Sequence, residues 1–238
     1  MPNYVKCKLV FGTNCYEETE KIRNLIKGDN GSAFDFNKVI EMPKTLMVEE
    51  SSKSNDAARF VKLLNEKYAN IKLSDDDNKF IEQAKDHYCT NADKAREFFE
   101  LGVQVNRNIK EYGYPSWYRW SIDNWGTKWN ACEPFWTCEN ILEFQTAWSF
   151  PMPVVKRLAQ MIAEQIPDVS IEFFYADEDA GRNTGYGSFY NGEIVSETYP
   201  EVGSDDAYET YNECWGEEFS KNENGEWLSC YWEEDYDE

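Results

Sequence analysis

With 238 residues and 16% aromatics, the chain is long enough for a large core and too aromatic to be disordered, despite a mean hydropathy of -0.74. A net charge of -21 repels nucleic acid and anionic membrane as direct partners and favours a basic protein surface. No apolar run is long enough for a transmembrane helix, and seven irregularly spaced cysteines with no secretory leader before them read as reduced thiols in a cytoplasm.

Residues 3–12 alternate: Val5, Cys7, Leu9 and Phe11 face one way, Lys6 and Lys8 the other, as in a half-buried strand. Residues 15–27 read as a helix with Tyr16, Ile22, Leu25 and Ile26 on one face and Gly28 as its stop. Residues 34–43 read as a short extended segment ended by Pro43. From residue 54 the pattern turns helical. Phe60, Val61, Leu64 and Tyr68 lie at helical spacing, Ser74 precedes three aspartates at a second start, and Thr90 or Asn91 caps a third helix. The buried stripe expected on that third helix is Phe98, Phe99, Leu101, Val105 and Ile109.

Six of the nine tryptophans fall between residues 117 and 148, so this stretch is expected to centre the core, with Trp125, Trp129 and Trp148 mostly buried. Residues 140–148 read as a strand. Pro151 and Pro153 open a helix with Val154, Leu158, Met161, Ile162 and Ile166 on its buried face. Val169–Tyr175 is the next strand, and Gly185–Val195 pairs with it as a hairpin. The order predicts an α+β fold. It is a ferredoxin-like split β-α-β antiparallel sheet with a helical insertion and an acidic C-terminal extension. The expected divisions are 1–50 and 112–200 for the two parts of the ferredoxin-like domain, 51–111 for the insertion and 201–238 for the extension.

That extension carries fourteen acids against the single base Lys221, so it holds -13 of the -21. It also carries eight aromatics, which ordinary acidic tails lack. Tyr208, Tyr211 and Trp215 fall at helical spacing between Ser204 and Gly216, and Asn222–Gly225 reads as a turn between two strands. A tail folded onto the body with its acids outward is the expectation. Glu217, Glu218, Glu233, Glu234 and Asp235 are its candidate partner-binding residues, joined by Asp177, Glu178 and Asp179.

The chemistry-bearing motifs are weak. The run Trp125-Gly-Thr-Lys-Trp129 reads either as a cationic aromatic pocket or as core aromatics around a glycine turn, and the second is the expectation; a buried Lys128 would want Asp123 or Glu143. Asp177–Asn183 holds part of a calcium-loop pattern but lacks its closing glutamate, so a polar hairpin loop is expected. His87-Tyr-Cys89 and the pair Cys132 and Cys138 match no zinc spacing, and the chain has one histidine. There is no nucleophile elbow and no phosphate loop. No catalytic residue, metal ligand or cofactor is assigned.

The run Trp117-Tyr-Arg-Trp120 followed by Asn124–Ala131, the strand Leu142–Trp148, the proline-opened helix and Phe173–Asp179 with Gly181 together resemble the YubB-like family of phage and plasmid proteins. The opening of the chain and Phe34–Pro43 are similar to it as well. That resemblance implies a ferredoxin-like domain and a mobile-element origin, and it carries over no catalytic residues. The expectation for function is a non-enzymatic acidic protein that binds and inhibits a host defence protein, of anti-CRISPR or anti-restriction type. Its carboxylates would stand in for phosphates on a basic channel. The alternatives are a small-molecule or metal-dependent enzyme using a tryptophan-lined cleft, and a host-takeover or replication accessory with another protein partner.

Overall fold

The computed structural model describes residues 3–216 and 218–230. The chain divides into two compact units: Met1–Glu41 with Ile122–Glu238, and Met42–Ser121.

The first unit is built on a six-stranded antiparallel sheet. Its strands are β1 (Tyr4–Gly12), β2 (Cys132–Cys138), β3 (Ile141–Ala147), β4 (Ser170–Asp177), β5 (Thr184–Tyr190) and β6 (Glu193–Thr198), in the spatial order β2-β3-β1-β4-β5-β6. β1 is central, with Cys7 opposite Phe144 on one side and Tyr175 on the other. Since β1 opposes both neighbours, β3 and β4 run parallel with β1 between them. By the same logic β1 and β2 run parallel with β3 between them. Two interleaved split β-α-β units result, the ferredoxin-like arrangement that the element order predicts, extended at one edge by β5 and β6.

The pleat of β1 separates two chemistries. Val5, Cys7, Leu9 and Phe11 are fully buried on one face. That face receives α1 (Tyr16–Ile26), whose Arg23 lies 4.5 Å over Trp136, and α6 (Met152–Ala163), which buries Val154, Val155, Leu158 and Ile162. Phe150, just before α6, stacks on Phe173 and Tyr175. The other face presents Lys6 and Lys8 and is met by α7 (Asp205–Trp215).

Two local readings need correction, and one element went unread. Residues 34–43 are not extended, because the Asp35 carboxylate accepts from the Asn37 N–H and winds a short 3-10 turn, Phe36–Lys38, that buries Phe34 and Phe36 against Phe144. Gly185–Val195 is two strands, not one: Asn191 and Gly192 both have positive φ, at 47° and 82°, and turn the chain from β5 into β6. Trp117–Trp125, which has no strong helical pattern, is a helix, α5.

The second unit holds α2 (Ser52–Tyr68), α3 (Asp75–Tyr88) and α4 (Ala92–Tyr112). Ser51, Ser74 and Asn91 cap them through side-chain oxygens, and Gly113 ends α4 with φ 83°. The core is Ala57, Phe60, Leu63, Ile81, Ala84 and Phe98, with Tyr88 stacked on Phe98 at 4.5 Å. The expected stripe on α4 is partly wrong. Phe98 and Val105 are buried, whereas Phe99 and Ile109 are exposed. The reason is Gly102, whose missing side chain lets α4 lie directly on the Ala57 carbonyl and so rolls Phe99 outward.

Candidate functional site

Between residues 42 and 121 thirteen acids meet thirteen bases, so the helical unit is neutral. The remaining 32 acids and 11 bases put all of the -21 on the ferredoxin-like unit. α7 displays four of these acids in one helix. Ser204 caps it by accepting the Ala207 N–H, and Asp205 and Asp206 suit the positive end of its dipole. Its apolar side, Ala207, Tyr211 and Cys214, is buried on the sheet, and the Trp215 indole N–H donates to the Ala176 carbonyl at 3.1 Å. Turned outward at four-residue spacing are Asp205, Glu209 and Glu213, with Glu201 one turn before the helix. Glu213 is tied to Lys8 at 2.6 Å. Lys221, then the Trp227 indole, donates to Asp205 and holds its carboxyl below the usual range. A short hairpin, β7 (Phe219–Lys221) with β8 (Trp227–Ser229), follows, with Asn222–Gly225 as its turn. The tail is therefore folded onto the body as far as residue 230, as its aromatics imply.

The loop from β4 to β5 joins this surface at one end of the sheet. The Gly203 N–H donates to the Gly181 carbonyl, and the Tyr208 ring packs on Gly181, 3.1 Å from where a Cβ would stand. Within the loop, Asp177 is a buried hub, 6% exposed, whose carboxylate accepts from Asn3 Nδ2, Asn183 Nδ2 and the Asp179 N–H. Glu178 and Asp179 are exposed. Asn183, at φ 44°, also donates to the Trp148 carbonyl. Trp148 has φ 69°, an outlier for a bulky residue, and is 43% exposed. Lys128 lies between two indoles, its Nζ 4.9 Å from the ring centres of both Trp129 and Trp148. Thr127 fixes the run from below, donating to the Ala147 carbonyl and accepting the Ala147 N–H.

The structure thus brings the Trp125–Trp129 run, the Asp177–Asp179 loop and the acidic helix onto one rim. It separates their members by role. Trp125 is core, 4% exposed, its indole donating to the Ile40 carbonyl. Trp129 is half-buried, its ring 6.4 Å from Tyr4. Trp148 is not core: it stands just past the end of β3 at positive φ, with its indole partly in solvent. Asp177 is structural, being buried, and is not available to a partner. Glu218 is half-buried and accepts from the Tyr211 hydroxyl, so it serves the fold. Glu217, Glu233, Glu234 and Asp235 lie outside the described residues. Sequence reasoning missed Glu201, Asp205, Glu209 and Glu213 as the outward stripe, although their four-residue spacing beside a capping serine is the signal that finds them. Among the described residues no group of histidine, cysteine or acidic side chains could hold a metal ion, and Cys7, Cys15, Cys89, Cys132, Cys138, Cys214 and Cys230 are all free thiols.

Fold and rim together define an acidic α+β protein of ferredoxin-like architecture. Residues 124–220 match the family described as the ferredoxin-like domain in Api92-like protein. A crystal structure of the protein api92 from Yersinia pseudotuberculosis is similar over 86% of this chain and 100% of that one, with a TM-score of 0.41 and 13% identity. No curated protein matches the chain. No helix among the described residues is long and apolar enough to cross a membrane.

Proposed function

We propose that the ferredoxin-like unit is a binding module for a basic protein surface, and that its contact face is the rim formed by α7 and the loop at Glu178 and Asp179. One observation supports this above others: the whole net charge of -21 lies on this unit, while the helical unit has none. A general solubility charge has no reason to be divided so completely. The acids on α7 are also fixed in space, because the helix is capped at Ser204 and buried along its other side. A rigid carboxylate row presents to lysine and arginine what a phosphate backbone presents to them. The resemblance to phage and plasmid proteins makes a nucleic-acid-handling host protein the natural target, and inhibition of a defence protein of CRISPR or restriction type the natural outcome.

The test starts with affinity capture from host lysate and mass spectrometry of what is retained. The retained protein is then titrated at several salt concentrations, with and without competing DNA or RNA. Association should weaken steeply with salt, since the Debye length falls from about 10 Å at 0.1 M to about 3 Å at 1 M. The changes Glu201→Lys and Glu209→Lys together should slow association while leaving the fold intact, because exposed rim charges act mainly on encounter. Binding that ignores salt, or that leaves the nucleic acid in place, would sink the decoy mechanism.

A further inference from the structure

The neutral helical unit carries a surface that the acidic rim does not explain. Along α4, Phe99 and Val103 are 42% and 43% exposed and, with Lys44, Thr45, Glu100, Gln104 and Arg107, line an apolar groove of about 550 Å³. Arg96, Phe99, Glu100, Val103, Arg107 and Glu111 are all exposed; Arg96, the neighbours Phe99 and Glu100, Val103, Arg107 and Glu111 succeed one another about one turn apart, so they form one face. The Gln104 and Asn108 side chains hold this face in place by donating to the Thr45 carbonyl.

The charges on this face have an internal symmetry. An antiparallel copy of α4 whose two-fold axis passes level with the Val103–Gln104 peptide sets residue 100 beside residue 107 and residue 96 beside residue 111. Each of those matches is an acid with a base: Glu100 with Arg107, and Arg96 with Glu111. A two-fold interface repeats each match, giving four complementary pairs around the Phe99 and Val103 side chains of both copies. The present partner of Arg107 does not exclude this. It bonds Glu111 through Nε at 2.9 Å, an exposed intrahelical pair, and a guanidinium has donors to spare.

We infer that α4 is a self-association surface and that its occupant is a second copy of this chain, packed antiparallel, α4 against α4. Charge favours this occupant. A chain with -21 on its other unit can approach its own kind only through a surface without net charge, and residues 42–121 supply one.

The experiment is sedimentation equilibrium on the full chain from about 1 to about 200 μM, a range that detects dimers of micromolar affinity. The expected result is a mass that rises from one chain to two. Phe99→Glu with Val103→Glu should give a monomer with an unchanged circular dichroism spectrum. Glu100→Arg alone and Arg107→Glu alone should each weaken the dimer about fivefold, since each removes two exposed pairs. Combined, they restore complementarity across the axis and should recover the affinity, which no effect on folding alone would do. A mass of one chain throughout the range would overturn the proposal, and so would a double swap as weak as the single changes. Neither result bears on capture by the acidic rim.

Discussion

At the level of single residues, burial separates tryptophans that look alike in sequence. Trp125→Ala should cost about 3–5 kcal/mol, because its ring is buried against Phe36 and its indole N–H is bonded. Trp148→Ala should cost less than about 1 kcal/mol, because the indole is half in water and its positive φ suits a small residue no worse. Denaturant midpoints for the two variants check the contrast, and equal losses would refute it. Asn183→Ala should cost about 1–3 kcal/mol, since it leaves Asp177 and the Trp148 carbonyl each one donor short. Asp35 gives a pH dependence. Burial raises its carboxyl pKa, but donors led by Asn130, with the Asn37 N–H and side chain next, outweigh that and bring it below the ordinary range. A carboxyl lowered in this way stabilises the fold above about pH 4 and loses that contribution as pH falls through its folded value. Wild-type urea midpoints should therefore drop on acidification, and Asp35→Asn should flatten that part of the profile while lowering stability at neutral pH.

At the level of elements, Gly102 sets a local preference against a tertiary one. Glycine inside a helix is worse than alanine by about 0.5–1 kcal/mol, so Gly102→Ala would stabilise an isolated α4. Here the new Cβ would stand 2.1 Å from the Ala57 carbonyl oxygen, and α2 would have to move. The clash should win, with a net loss of about 1–3 kcal/mol, read as a lower thermal midpoint; a rise would mean that the helices are free to separate. The same kind of conflict decides what was legible in the sequence. β1, β3, β4, α6 and α7 were legible because alternation, prolines and caps all agree with their final packing. β2 was not, because Pro134 and two register shifts against β3 break its period. α5 was hidden by its aromatics, whose helix propensity is low. Of the site, the acidic tail was legible from composition. Its union with the Trp148 turn was not, since that depends on Asn3 and Asn183, which report nothing by type or spacing about the contacts they make across the sheet.

At the level of the whole molecule, the division of charge should appear in stability. With 32 acids and 11 bases in one unit, self-repulsion opposes its folding, and exposed ion pairs such as Arg157–Glu164 are too weak to reverse the sign. Salt should raise the thermal midpoint at neutral pH, and a midpoint that falls would show that local ion pairs outweigh the net field. The cysteines add a built-in clock. Cys15, Cys138 and Cys230 are open to solvent, whereas Cys7 and Cys214 are buried, and burial raises both of their thiols far above the ordinary range. Only a thiolate reacts, so an alkylating reagent added to the native protein marks these two when the surrounding structure opens. Cys7 lies on the central strand beneath α1 and α6, and Cys214 lies under α7 on the opposite face. The order in which the two acquire mass under slow labelling would therefore time the lifting of the acidic helix separately from the parting of the sheet.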